Sequence, residues 1–436
     1  MSGAEGNSSS LPLAAMRGGL VAEALELLSL GRLPRFAVRR EVMLLMILTW
    51  FGLGISAQFS SRAALAEPAA ASPGATYTAD LNYQEADEVL VSRGVEARLQ
   101  TAPFPKEPAL PGQNVFRGSL LWGPRPEQAL PFIWDKGRGR LFLDLNRNRN
   151  LTDDPNGRFA SASRNDSQSF TNVHLVIPTA TGNRALRLQL DFSSYQGGSV
   201  GVSAGLCSYW QARLSLHGKE WQFGLVENVP DGTGSVAPEY LLLRSWAERQ
   251  RAFHLTSATP DFCNFTKNVF FDNHAYELDC RYVLGQESPK YKVTFKEQAP
   301  RLAELKVTGA DLHRLILTAK PALTVVLDEP AGMVKLPVGR YSLDEIWLRK
   351  GETEVVRLNA GRVVVDEQHP ANLVAGGPLT NSVEGRPQGD ALLLRYQLMG
   401  ADRGAYQFPR PNRQHPPEFA VFQGTNKLAT GKFQYG

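Results

Sequence analysis

Short apolar runs, each closed by a turn, recur through most of this chain and leave little room for helices. From residue 301 onward the pattern is plainest. Ala303–Thr308 and Leu312–Leu317 flank Gly309-Ala310-Asp311, and Leu323–Leu327, Met333–Leu336 and Tyr341–Arg349 follow between Pro330, Gly332, Pro337, Gly339 and Gly351. Strand-length runs at turn-delimited intervals of about 8–12 residues argue for a sandwich. The middle of the chain reads similarly, with Val115–Trp122, Ala129–Trp134, Arg140–Leu145, Arg184–Phe192 and Tyr291–Phe295 as strands. Glu239–Arg249 is the one short helix expected there. Neither a long heptad run nor strand–helix alternation is present, which disfavours a parallel α/β enzyme.

The expected fold is therefore mainly β, with two β-sandwich-like domains. One spans residues 80–300. The other spans 301–436, after a boundary near Ala299–Arg301, and is expected to be immunoglobulin-like or transthyretin-like. A chain of 436 residues with 43% apolar and 21% charged content is long enough for more than one core. The formal net charge is only +4, so no basic face and no nucleic-acid partner are implied.

Residues 1–66 read as an N-terminal extension followed by an export segment. Arg35, Arg39 and Arg40 precede an apolar run without charge, and Ala64-Leu-Ala66 is a small-x-small cleavage pattern. The uncharged stretch 42–61 is also just long enough to span a bilayer, so cleaved signal peptide and uncleaved membrane anchor are both open. Either places the remainder outside the cytoplasm, behind a linker at 67–79. In that oxidising setting Cys263 and Cys280, on opposite sides of an expected hairpin, are a candidate disulfide. Cys207 would then be a small buried hydrophobe.

One run carries a chemical plan. In Leu141-Phe-Leu-Asp-Leu-Asn-Arg-Asn-Arg-Asn-Leu-Thr-Asp-Asp154, oxygen-bearing side chains recur at every second position from Asp144. A loop around a hard cation such as calcium takes ligands at positions 1, 3, 5, 7, 9 and 12. Asp144, Asn146, Asn148, Asn150 (by its backbone carbonyl) and Thr152 fill the first five. Pro155 stands at the twelfth and cannot ligate, so Asp153 or Asp154 must turn inward. Arg149 stands where glycine is expected at the sixth. A polar loop needing no metal uses the same residue types, because Asn and Asp tolerate left-handed backbone and bond their own chain.

The run resembles the isolated EF-hand-like or dockerin-type loop of exported, β-rich bacterial proteins. The resemblance covers about fourteen residues and lacks the usual sixth-position glycine. Weaker likenesses lie at Val334–Tyr341 and in the last residues of the chain. It implies an exported β protein with a calcium loop, and it implies no reaction.

Other motifs carry less. Glu227, Asn228 and Asp231 form a second polar loop that also reads as a Pro-Asp-Gly turn. Ser199 and Ser203 each sit in G-x-S-x-G, but no helix follows to make a nucleophile elbow. The seven histidines form no zinc-hydrolase motif, and His274 in Asp272-Asn273-His274 reads as a turn residue. The tryptophans and tyrosines of the middle region read as core rather than as sugar-stacking platforms. Two functions follow: a non-enzymatic envelope or secreted protein binding an extracellular ligand, or an extracytoplasmic hydrolase of polysaccharide or peptide.

Overall fold

Alternation of inward and outward side chains is clearest at Ser167–Thr179, where Gln168, Phe170, Val173, Leu175 and Ile177 are buried. The switch from even to odd positions needs one extra residue. Asn172 supplies it in the left-handed region (φ 57°), where pairing with the next strand shifts register. A computed structural model describes residues 74–112, 114–163, 165–179, 182–230, 235–250, 259–284, 289–389, 391–409 and 416–433. The export segment lies outside them. Among the described residues no helix is long and apolar enough to cross a membrane.

The chain is mainly β. The first strand, β1, is Thr76–Glu85, so the structure is extended and paired within the last residues of the expected linker. The next eight are β2 (Val91–Gln100), β3 (Val115–Leu121), β4 (Ala129–Asp135), β5 (Arg140–Leu143), β6 (Arg158–Ala160), β7 (Ser167–Thr179), β8 (Gly182–Ser194) and β9 (Val200–Leu206). β2 to β9 make an eight-stranded sheet in the order β6-β5-β4-β3-β2-β9-β8-β7. It curls over a core holding Trp122, Phe132, Trp134, Phe170 and Phe192, and Trp134 Nε1 of β4 donates to Gln168 Oε1 of β7 at 2.8 Å.

A second lobe follows, built from β10 (Ser208–Leu216), β11 (Lys219–Glu227), β12 (Pro238–Ser245), β13 (Phe262–Asn264), β14 (Asn268–Phe271), β15 (His274–Val283) and β16 (Lys290–Gln298), with β1 completing the sheet between β10 and β16. Its core gathers Leu81, Trp210, Phe223, Leu241, Tyr276 and Phe295 from around the sheet. Residues 80–300 thus hold two cores where one sandwich was expected.

The third lobe comprises β17 (Leu302–Thr308), β18 (Leu312–Ala319), β19 (Leu323–Asp328), β20 (Gly332–Pro337), β21 (Gly339–Lys350), β22 (Thr353–Val365) and β23 (Ala371–Val374). The order β19-β18-β21-β22 faces β20-β17-β23 across a core that includes Leu305, Leu317, Tyr341 and Val363. An immunoglobulin domain places its first, second, fifth and fourth strands in one sheet. Here the first strand of the lobe pairs with the fourth and, in parallel, with the seventh, so that order is ruled out. The lobe is also joined to the second by hydrogen bonds, because β14 pairs in parallel with β19 and one twelve-stranded sheet runs through both. Arg314 of β18 ties the third lobe to the second again, donating to Leu243 O (2.7 Å) and Pro260 O (2.6 Å).

The chain continues through β24 (Thr380–Gln388), β25 (Ala391–Met399) and β26 (Ala405–Tyr406), which form a small sheet of their own. A separate unit contributes one described hairpin, β27 (Glu418–Gln423) with β28 (Asn426–Lys432).

Two expectations are corrected. Glu239–Arg249 is not a helix: residues up to Ser245 are β12, and only Trp246–Glu248 makes a single 3-10 turn. Leu242 faces the first core while Leu241 and Leu243 face the second, so a strand buried on both faces shows no alternation. Cys263 and Cys280 are free. They lie on β13 and β15, which occupy distant places in the sheet, and burial pushes both thiols up to about 12.

Candidate functional site

The Asp/Asn loop joins β5 to β6. Asp144 follows the last residue of β5, fully buried, and its N–H donates to Pro131 O of β4 (3.0 Å). Its carboxylate then gathers the turning backbone, Oδ1 accepting from Asn148 N–H (3.1 Å) and Oδ2 from Arg149 N–H (2.6 Å). Asn146, Asn148 and Asn150 each accept a backbone N–H two residues on, at 3.0, 2.7 and 3.2 Å, so the chain curls through successive Asx turns. Arg147 and Arg149 both adopt positive φ, 59° and 62°. Arg149 therefore takes, without glycine, the backbone conformation that the sixth position of a calcium loop requires.

Asp153 is the acid that turns inward. Its carboxylate accepts from the side-chain amides of Asn146 (3.3 Å), Asn148 (2.8 Å) and Asn150 (2.8 Å). Asp154 instead precedes the 3-10 turn Pro155–Gly157, its Oδ2 buried without a hydrogen-bond partner. Burial, then Asp144 and Asp153, push the Asp154 carboxyl above the ordinary carboxylate range. The Arg147 charge is turned away, its guanidinium donating to Val176 O (2.8 Å) and Leu145 O (3.2 Å). Thr152 points its hydroxyl to Asn150 Oδ1 at 2.6 Å.

The loop is anchored from beneath. Leu151 is buried with Phe104, Ile133 and Phe142, and its N–H donates to Lys106 O at 3.0 Å. At the far end Gly157 passes so close to β5 that a Cβ there would sit 2.2 Å from Leu143 O. All seven residues expected at the site are brought into one loop. The residue types are those of a hard-cation loop, but as placed the three asparagine oxygens accept backbone N–H groups and their NH2 groups face Asp153, with an orphaned Asp154 oxygen beside them. The carboxylates of Asp144, Asp153 and Asp154 are not drawn together tightly enough to form a compact three-acid cage.

The second polar loop separates. Glu227 turns into the interior, accepting from Tyr291 OH (2.7 Å) and Trp210 Nε1 (3.0 Å) with Arg184 Nη1 3.4 Å away. Asn228 stays in the loop and accepts from Ala237 N–H, and Asp231 lies outside the described residues. Ser203 lies within β9, so the residues after it continue as strand and form no elbow. Trp122, Trp134, Trp210, Trp221 and Tyr209 are buried, as core residues should be.

A second group escaped sequence reasoning. Among the described residues, His217, His274 and Glu297 place one ligand atom each within 4.8 Å of the others. His217-Gly218 is the two-residue turn between β10 and β11, with φ 47° and 77°. Asp272-Asn273 is the matching turn between β14 and β15, with φ 48° and 65°, so His274 opens β15. Positive φ at both turn residues is the hairpin geometry that follows strand twist. Glu297 stands opposite Tyr276 near the end of β16. The three residues are 80 positions apart in sequence from first to last, by their numbers, and no spacing motif could reveal them.

No family model, curated protein or solved structure matches this chain.

Proposed function

We propose that the chain is an exported, non-enzymatic envelope or secreted protein that binds an extracellular ligand or serves a structural role, and that its 144–154 loop takes calcium as a structural ion. The observation that carries the calcium reading is the wrap of the loop around Asp144, with Arg149 left-handed at the sixth position and Asp153 turned inward. Asp144, Asn146, Asn148, Asn150, Thr152 and Asp153 would hold the ion, with Asp154 alongside. Calcium there would neutralise clustered carboxylates and pin the connection between β5 and β6. Two neutral amides among the ligands lower the charge of the site, which suits a compartment rich in calcium. The third lobe, of the two sandwich types expected, is read as transthyretin-like, since its strand order departs from the immunoglobulin one.

The test is a thermal melt of the full chain in calcium, in magnesium and in EDTA. Binding to the native state alone stabilises by about 2.7 kcal/mol at a hundredfold excess over Kd. The expected result is a higher Tm in calcium than in EDTA or magnesium. Asp153→Asn, at an exposed position, should remove that shift between calcium and EDTA. An unchanged Tm in millimolar calcium, or an equal shift in the variant, would refute the reading.

A further inference from the structure

Three side chains at one end of the second lobe bring one potential ligand atom each within 4.8 Å of the others. His274 Nδ1 and Glu297 Oε1 are hydrogen-bonded at 2.9 Å, and His217 Nε2 lies 3.6 Å from the same oxygen. Ligands about 2.05 Å from a tetrahedral zinc stand about 3.3 Å apart, between these two values. Hydrogen bonding among the three leaves buried atoms unused. His217 Nε2 and Glu297 Oε2 are both buried without a hydrogen-bond partner, and the Glu297 side chain is only 8% exposed. An unpartnered buried carboxylate oxygen is costly, and a cation repays that cost directly.

We propose that His217, His274 and Glu297 bind one divalent ion of the zinc class, which ties the β10–β11 and β14–β15 hairpin tips to the end of β16. Two imidazoles and one carboxylate are borderline donors that favour zinc and its late first-row neighbours over calcium or magnesium. The surroundings fit a low net charge. Lys219 Nζ and Asp272 Oδ1, 2.5 Å apart, cancel beside the site, and the rings of Tyr77 and Tyr276 flank His217. His274 is the most exposed of the three at 28%, so the fourth position opens towards water there.

One rearrangement accompanies binding. The two imidazoles are stacked, centroids 3.5 Å apart and planes 8° from parallel. In-plane lone pairs of parallel rings cannot meet at one ion, so one ring turns about its Cβ–Cγ bond on loading. That torsion is soft in histidine. The ion thus exchanges a ring stack for a cross-link between two turns.

The experiment uses the full chain, stripped with chelator and held in about 1 mM calcium so that the 144–154 loop is supplied. Zinc is titrated by calorimetry, and cobalt(II) by its visible absorption, which is intense only at low coordination number. One equivalent of zinc is expected, with cobalt giving the intense spectrum and zinc displacing it. His274→Ala, at a hairpin tip, should weaken zinc binding on the order of 100-fold or more, read on protein shown to be folded by its own metal-free melt. Glu297→Gln keeps the size of the side chain, and His217→Asn keeps a residue tolerant of positive φ; both should do the same. Absence of a one-to-one zinc event, or undiminished affinity in the three variants, would overturn the proposal. Neither result depends on whether calcium shifts the melt.

Discussion

Asp153 supplies the inward-turned carboxylate that Pro155, at the twelfth position of the loop, cannot. Three asparagine amides converge on it, and the spacing Asp144-x-Asn146-x-Asn148-x-Asn150 is what lets them do so. That constellation was legible because all its members lie within eleven consecutive residues. His274 shows the opposite case. Alone in its turn it reads as a solvated residue, and only the neighbouring strands bring His217 and Glu297 to it. Glu345 is a third kind, a carboxyl whose burial is decided by tertiary packing. Burial pushes its carboxyl up to about 7 from 4.5, although Trp347 Nε1 donates to it at 2.6 Å and Arg314 opposes the rise. Because the folded value exceeds the unfolded one, the folded state holds more protons between those pH values. Stability therefore falls as pH rises through that window, by about 2 kcal/mol after discounting for partial exposure. Glu345→Gln should flatten this dependence, leaving the variant relatively more stable at about pH 8 than at about pH 5. Urea midpoints of parent and variant at the two pH values check it, and equal differences at both would exclude Glu345 as the source.

At the scale of elements, strands with one wet face declared themselves and strands with two dry faces did not. β8 alternates and was legible; Tyr240-Leu-Leu-Leu243 in β12 is apolar throughout because each side meets a different core. One contact between the first and second lobes is ionic. Arg184 near the start of β8 lies over the Tyr282 ring of β15, 3.3 Å from its centroid, and beside Glu227 at the end of β11. Both members of the pair are nearly fully buried. Breaking a buried pair from one side strands the other charge, at a cost of about 3–5 kcal/mol. Arg184→Met should lose that much stability in urea unfolding. The double variant Arg184→Met with Glu227→Met should recover part of it, since no charge is then left unpaired. A double variant less stable than either single one would mean that Glu227 acts mainly through Tyr291 and Trp210.

Over residues 74–409, the twelve-stranded sheet makes the expected boundary near residue 300 a boundary in sequence but not in hydrogen bonding. β14 pairs with β19 across it, and Phe270 and Ala275 of the second lobe are buried in the third core. A chain ended at Gln298 should therefore be destabilised and prone to self-association, because it exposes both a strand edge and an apolar face. Sedimentation and a urea melt of that truncation check this; a monomer with full stability would show the lobes to be independent. What the sequence determined alone is what depends on local order: the mainly β character, the turns, the individual strands with one wet face, and the Asp/Asn loop with its seven oxygen-bearing residues. Each rests on a period or spacing carried within a dozen residues. What only the tertiary structure decided is which strands become neighbours: two cores within residues 80–300, the strand order of the third lobe, free cysteines at 263 and 280, and the meeting of His217, His274 and Glu297. Those depend on pairing between segments far apart in the chain, and a hydrophobic period states that a face is buried without stating against what.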